Sequence, residues 1–248
     1  MARAALRAAI ALLALVATVP RASAQQDPAR PDSIDRFKVS IDLGLVAASG
    51  NSSILTLNFG EKLEYLLGRW ALRQASRVVS SRADGQATAD EYFVSVQPEH
   101  RLSQAWRYYI LGTWDRNPFL GIAWRFQEGL GVAWSPVRGP KAFLTFESGF
   151  SLFQQAFTGG TREDFPVIRG QVTARYALSA QAYLQETFAY LPNLDAGNYR
   201  INSELLLVAP ISRWLALRAS WVLQFQSAPQ PGFRTTDNLY TTGLQLNF

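Results

Sequence analysis

Bases and carboxylates recur on one face of alternating segments, and their pairing is the chemistry this sequence offers. Lys38, Lys62, Arg73, Arg77, Arg101, Arg125, Arg169, Arg175, Arg200 and Arg218 fall opposite the apolar face, together with Asp42, Glu64, Glu99, Asp115, Glu147 and Glu204. The bases exceed the acids by four. Lining the inside of a closed sheet, these groups form a polar passage biased towards anions, or they pair across the interior and fill it. Glu61, Glu128 and Glu186 instead fall on the apolar face, with Gln74 expected opposite Glu61 across the tight turn and Ser148 opposite Glu128. They either make a lateral contact between subunits, or a β-bulge, for instance at Gly60, turns the side chain inward. Bulges are common in barrels, which favours the second reading.

Other chemistries find less support. His100 is the one histidine, and Ser103 lies three residues on, which on a strand puts the two side chains on opposite faces. With no G-x-S-x-G, a nucleophile, base and orienter are not assembled. His100 reads as a belt residue, and no catalytic residue is expected. Asp84, Asp90, Glu91, Glu163, Asp164, Asp195 and Asp237 gather in segments read as outer loops, but no spacing matches a known calcium loop. Gly159-Gly160 is a loop tip without a following helix. There is no cysteine. No metal or cofactor is expected, and no nucleic-acid partner either, because the arginines are scattered singly with no basic run.

The elements that position these groups read as strands. Residues 1–24 have a signal-peptide pattern: Arg3 and Arg7, an apolar stretch from Ala8 to Val19, Pro20, and Ala22-Ser23-Ala24. Cleavage there lowers Lys+Arg from 24 to 21 against 19 Asp+Glu, a net charge of about +2. Residues 25–36 read as a short periplasmic lead. From 37 to 248 the apolar residues alternate with period two, as in Val39, Ile41 and Leu43 or Trp124, Phe126, Leu130, Val132 and Trp134. Twelve such strands are expected, an even number. Tight turns are expected at 66–69, 102–105, 135–140, 178–180 and 209–213, and longer loops at 81–89, 154–165, 191–198 and 227–236. Tyr65, Trp70, Trp106, Trp134 and Trp214 flank the tight turns, as an interfacial girdle would. The final strand places Leu244, Leu246 and Phe248 on one face and Gly243 on the other. Gly243, Leu246 and Phe248 are the expected barrel-assembly signal. The fold expected is an all-β, single closed antiparallel transmembrane β-barrel with both termini in the periplasm.

Several short segments resemble the YdiY-like salt-induced outer-membrane proteins, a family of unknown function. They are Leu43-Gly44 with Ser49-Gly50-Asn51, Gly68-Arg69-Trp70, Asp115-Arg116-Asn117-Pro118-Phe119-Leu120-Gly121, Glu147-Ser148-Gly149, Asn198-Tyr199-Arg200 with Ser203-Glu204, Leu215-Ala216-Leu217, Ser227-Ala228-Pro229 and Thr241-Thr242-Gly243-Leu244. The resemblance implies an outer-membrane location and an osmotic link, with no reaction or ligand. Outer-membrane lipid, lipopolysaccharide and the barrel-assembly machinery are the partners expected. The functional expectation is a narrow channel or permeation protein tied to envelope or osmotic stress. The alternatives are a non-conducting structural barrel and, more distantly, a membrane-embedded hydrolase.

Overall fold

A computed structural model describes residues 37–48, 54–179 and 182–247. The expected signal peptide, the periplasmic lead and Phe248 lie outside these residues. Twelve strands, β1 (Phe37–Ala48), β2 (Ile54–Leu67), β3 (Trp70–Ala83), β4 (Gln86–Arg101), β5 (Trp106–Asn117), β6 (Ile122–Arg138), β7 (Ala142–Phe157), β8 (Arg162–Ala177), β9 (Tyr183–Pro192), β10 (Tyr199–Pro210), β11 (Leu215–Gln226) and β12 (Thr236–Asn247), follow one another around a closed antiparallel barrel. Closure pairs most backbone groups of each strand with its neighbours, which is what lets such a sheet stand in an apolar medium; the β1–β12 junction is the shortest, with four register pairs. No helix among the described residues is long and apolar enough to cross a membrane.

The two faces of the wall differ sharply. Leu57, Ile110, Leu130 and Leu217 point outward and are half or more exposed. Glu99, Glu147, Arg169 and Gln155 are buried. Contacts that skip strands identify the interior, because only inward side chains can make them. Arg218 of β11 reaches Asp42 of β1 at 2.8 Å, and Arg169 of β8 reaches the Tyr109 hydroxyl of β5 at 3.0 Å. An apolar exterior far larger than the few hundred Å² that water-soluble monomers tolerate implies a lipid solvent.

Ring contacts mark both rims. At the tight-turn end Trp106 stacks on Trp134 and Trp134 on Phe146. At the other end Tyr190, Tyr199 and Phe225 form a chain of ring contacts, and Trp221 stacks on Tyr240. Only the first of these girdles is legible in the sequence.

Two expected loops are shorter than anticipated. The 81–89 segment is mostly strand, closed by Asp84 and Gly85 at φ 49° and 80°. That left-handed pair suits a two-residue hairpin. Likewise β7 runs to Phe157 and β8 begins at Arg162, so only 158–161 turns. In the first hairpin polar and small residues occupy both faces, and in the second Gln154-Gln155 and Arg162-Glu163-Asp164 interrupt the alternation, so the period-two signal fades.

Candidate functional site

The interior divides into a packed half and an open half. The packed half is built on glycines. Tyr109 is 2% exposed and lies across β6 and β7. A Cβ at Gly131 would sit 2.5 Å from its hydroxyl, and one at Gly149 would sit 2.8 Å from the same atom. Both positions therefore need the bare backbone to seat the ring. Arg169 bonds the Tyr109 hydroxyl and Glu147 at 2.8 Å, and also bonds Gln171. Gln127 donates to Ser151, and Ser135 shares a 2.8 Å hydrogen bond with Thr145. Above this layer Phe153 stacks on Phe165 beside Val167, Ala189 and Leu191. Arg200 crosses from β10 to bond Gln155 of β7 and lies 4.7 Å over the Phe153 ring.

The mouth at this end is bridged. The Phe233 ring, from the segment after β11, lies against Gly121 between β5 and β6, where an added Cβ would meet it at 3.0 Å. Strands five and six stand opposite strands eleven and twelve in a twelve-strand ring, so the 227–235 segment reaches across the opening. The β7–β8 turn joins it through Thr158 N–H to Gly121 O at 2.9 Å.

The open half lies along β1–β3 and β11–β12. Lys62 is exposed although its parity points inward, and the Arg73 side chain is 41% exposed. A cavity of about 150 Å³ adjoins Lys62, Asp42, Arg77, Glu204 and Arg218. A second, of about 360 Å³, lies near the tight-turn end beside Ser40, Tyr183 and Arg213.

Most sequence-derived lumen candidates are tied into ion pairs. Arg73 bonds Glu64 at 3.2 Å and Glu99 at 2.6 Å. Arg125 bonds Asp115 at 2.8 Å, and Arg218 bonds both Asp42 and Glu204 at 2.8 Å. Arg175 lies over the Phe143 and Tyr183 rings. Arg101 keeps inward parity but is exposed at the strand end, beside the 102–105 turn. Lys38 pairs in register with Glu64. Two ionic partners were missed. Glu91, assigned to an outer loop, bonds Arg77 inside the barrel. Arg107 lies 3.0 Å from Glu99, an ion-pair contact whose angle falls short of a hydrogen bond. One added base and one added acid leave the excess unchanged.

The three wall carboxylates stay on the outer face. Register runs unbroken through Gly60 and Glu61 on both sides of β2, so no bulge turns Glu61 inward. Its partner is Ser76, which donates to it at 3.3 Å, rather than Gln74. Glu128 faces Leu152 and Gly112, not Ser148. Glu186 accepts from Ser203 across β9 and β10. A serine hydroxyl on the adjacent strand thus partners two of the three charges.

His100 stands among rings, 4.7 Å from Trp70 and 5.1 Å from Tyr108. Ser103 accepts from the Trp106 and Ala105 amides and closes its turn. The two side chains serve a belt and a turn. Among the described residues no group of three or more acids and histidines gathers closely enough to hold a metal ion.

The family described as "Protein of unknown function, DUF481" matches residues 41–248. The chain belongs to this family. No curated protein matches it. Among solved structures, a NanC porin superposes with a TM-score of 0.53 at 10% identity, covering 84% of this chain and 98% of that one. At that identity the likeness establishes the barrel fold alone. The translocator domain of autotransporter NalP from Neisseria meningitidis gives 0.49 at 14% identity, covering 100% and 96%. In this DUF481 member the interior holds paired charges and a glycine-seated tyrosine.

Proposed function

We propose that this barrel sits in the outer membrane, with its tight turns and both termini in the periplasm, and provides a narrow off-axis passage for small polar solutes. The observation that carries this reading is the inward Lys62 and Arg73. Both stay accessible to water, and Lys62 lies beside the 150 Å³ cavity, while the opposite half is packed. An interior with an excess of bases favours anions. The resemblance to salt-induced outer-membrane proteins supports a role in osmotic or envelope stress. The amino-terminal pattern supports export with cleavage after Ala24. Lipopolysaccharide and the assembly machinery follow as partners from that location.

A second reading, a non-conducting structural barrel, is favoured by the loop across the mouth and by the Arg200 contact across the interior. Planar-bilayer recording separates the two. The passage reading expects a small conductance with an anion-selective reversal potential. Deleting residues 229–234 should raise that conductance several-fold, because Phe233 leaves the mouth. Silence from the wild type, the loop deletion and Arg200→Ala alike would leave only the structural barrel.

A further inference from the structure

The barrel closes unevenly. β1 pairs with β12 only from Ser40 to Leu43 against Leu244 to Asn247. Beyond that, Gly44–Ala48 keep their ladder to β2, and Thr236–Gly243 keep theirs to β11, but no register pair joins the two facing edges. Just past the last register pair the strands remain close: a Cβ on Gly243 would lie 3.1 Å from the Gly44 Cα, and one on Gly44 would lie 2.8 Å from the Thr242 carbonyl oxygen. Bare backbone edges are costly in lipid. Beside this notch Tyr240 is 73% exposed.

The 150 Å³ cavity lies at the same place, and its lining comes from both faces of the wall. Lys62, Asp42 and Arg218 line it from inside, and Leu43, Phe59 and Leu244 from outside. Gly44, Gly60 and Gly243 are also part of the lining, so at these three positions the wall is bare backbone. The charged groups that line it balance, three bases (Lys62, Arg77 and Arg218) against three acids (Asp42, Glu61 and Glu204). Two polar groups are left over. Asp42 Oδ1 is buried without a hydrogen-bond partner, and Lys62 takes no part in any ion pair among the described residues.

The geometry points to a lateral portal for an uncharged single-chain amphiphile with a hydroxylated head. The head accepts from Lys62 and donates to Asp42 Oδ1. The balanced charges give no advantage to a charged head. The cavity holds a small head group only, so the tail leaves through the seam, past Leu43 and Leu244, into the apolar phase. This inference stands whether or not the lumen conducts ions.

A nitroxide-labelled monoacylglycerol titrated into the full-length barrel in lipid nanodiscs tests it by electron paramagnetic resonance. One saturable immobilised site per barrel is expected. Lys62→Gln should weaken it about tenfold, the scale of one lost hydrogen bond to a charged group. Labelled fatty acid and alkylammonium should bind less tightly. Should Lys62→Gln fail to fold, a fluorophore on Tyr240→Cys reads the same binding at the seam, with saturable quenching by the labelled monoacylglycerol in support. Quenching that only tracks bulk lipid, equal binding of the fatty acid, or dimers cross-linked along the β12 edge would overturn the portal.

Discussion

An Arg169→Met protein unfolds at lower urea than the wild type, with a loss of about 3–5 kcal/mol, the cost of stranding one member of a buried ion pair. Glu147 is 8% exposed and takes its 2.8 Å bond from Arg169. Its other side-chain donor is Gln171, at 3.4 Å. Methionine keeps most of the volume while removing both the charge and the donor to Tyr109. The effect therefore belongs to the stranded carboxylate, and Glu147→Gln in the same chain should recover most of it. Equilibrium unfolding from lipid vesicles measures both variants. If the double variant were as unstable as the single one, packing rather than charge would hold this layer together.

Gly131→Ala should cost about 1–3 kcal/mol, as overpacking a filled interior does. The new methyl group meets the Tyr109 hydroxyl at 2.5 Å and its Cζ at 2.6 Å, and it also collides with the Ser148 carbonyl. The ring has nowhere to move, because Gly149 behind it and Arg169 at its hydroxyl fix its position. Removing the ring by Tyr109→Ala in the Gly131→Ala background relieves one collision and leaves the backbone one. The two substitutions should therefore be non-additive, the double variant being more stable than the sum predicts. Loss of the heat-shifted folded band on a gel reads the same order without an unfolding curve. Simple additivity would mean that Tyr109 does not rest on Gly131.

Period two carried the fold in the sequence. Leu130 and Val132 alternate with Gly129 and Gly131, and once one face is assigned to lipid the other must be interior. The same rule placed Arg73, Arg125, Arg169 and Arg218 on the inner face. It lost its grip at Gln86–Glu91, where polar residues occupy both faces, and so Glu91 read as a loop acid rather than the partner of Arg77. Register was less legible still. Gln74 stands near Glu61 on the chain map, but a shift of two residues gives Ser76 that place. Bulges leave no mark in residue type, so the inward turn expected at Gly60 had nothing to be checked against. The seat of Tyr109 depends on three strands meeting in one register. A pair of glycines two apart on β6 is its only trace in the sequence. Neither the loop over the mouth nor the seam between the first and last strands has any local signature.

The chain has no cysteine of its own, so single cysteines report cleanly on which solvent each face meets. The decisive measurement labels Leu130→Cys and Leu217→Cys on the wall, and Lys62→Cys and Arg73→Cys in the interior, in reconstituted vesicles. A fluorophore on either wall position should be quenched by lipid-borne nitroxides and be slow to react with a water-soluble thiol reagent, while both interior positions should react readily and escape the lipid quencher. The opposite pattern, with leucine positions reached by water and lysine or arginine positions by lipid, would contradict an apolar wall around a charged interior.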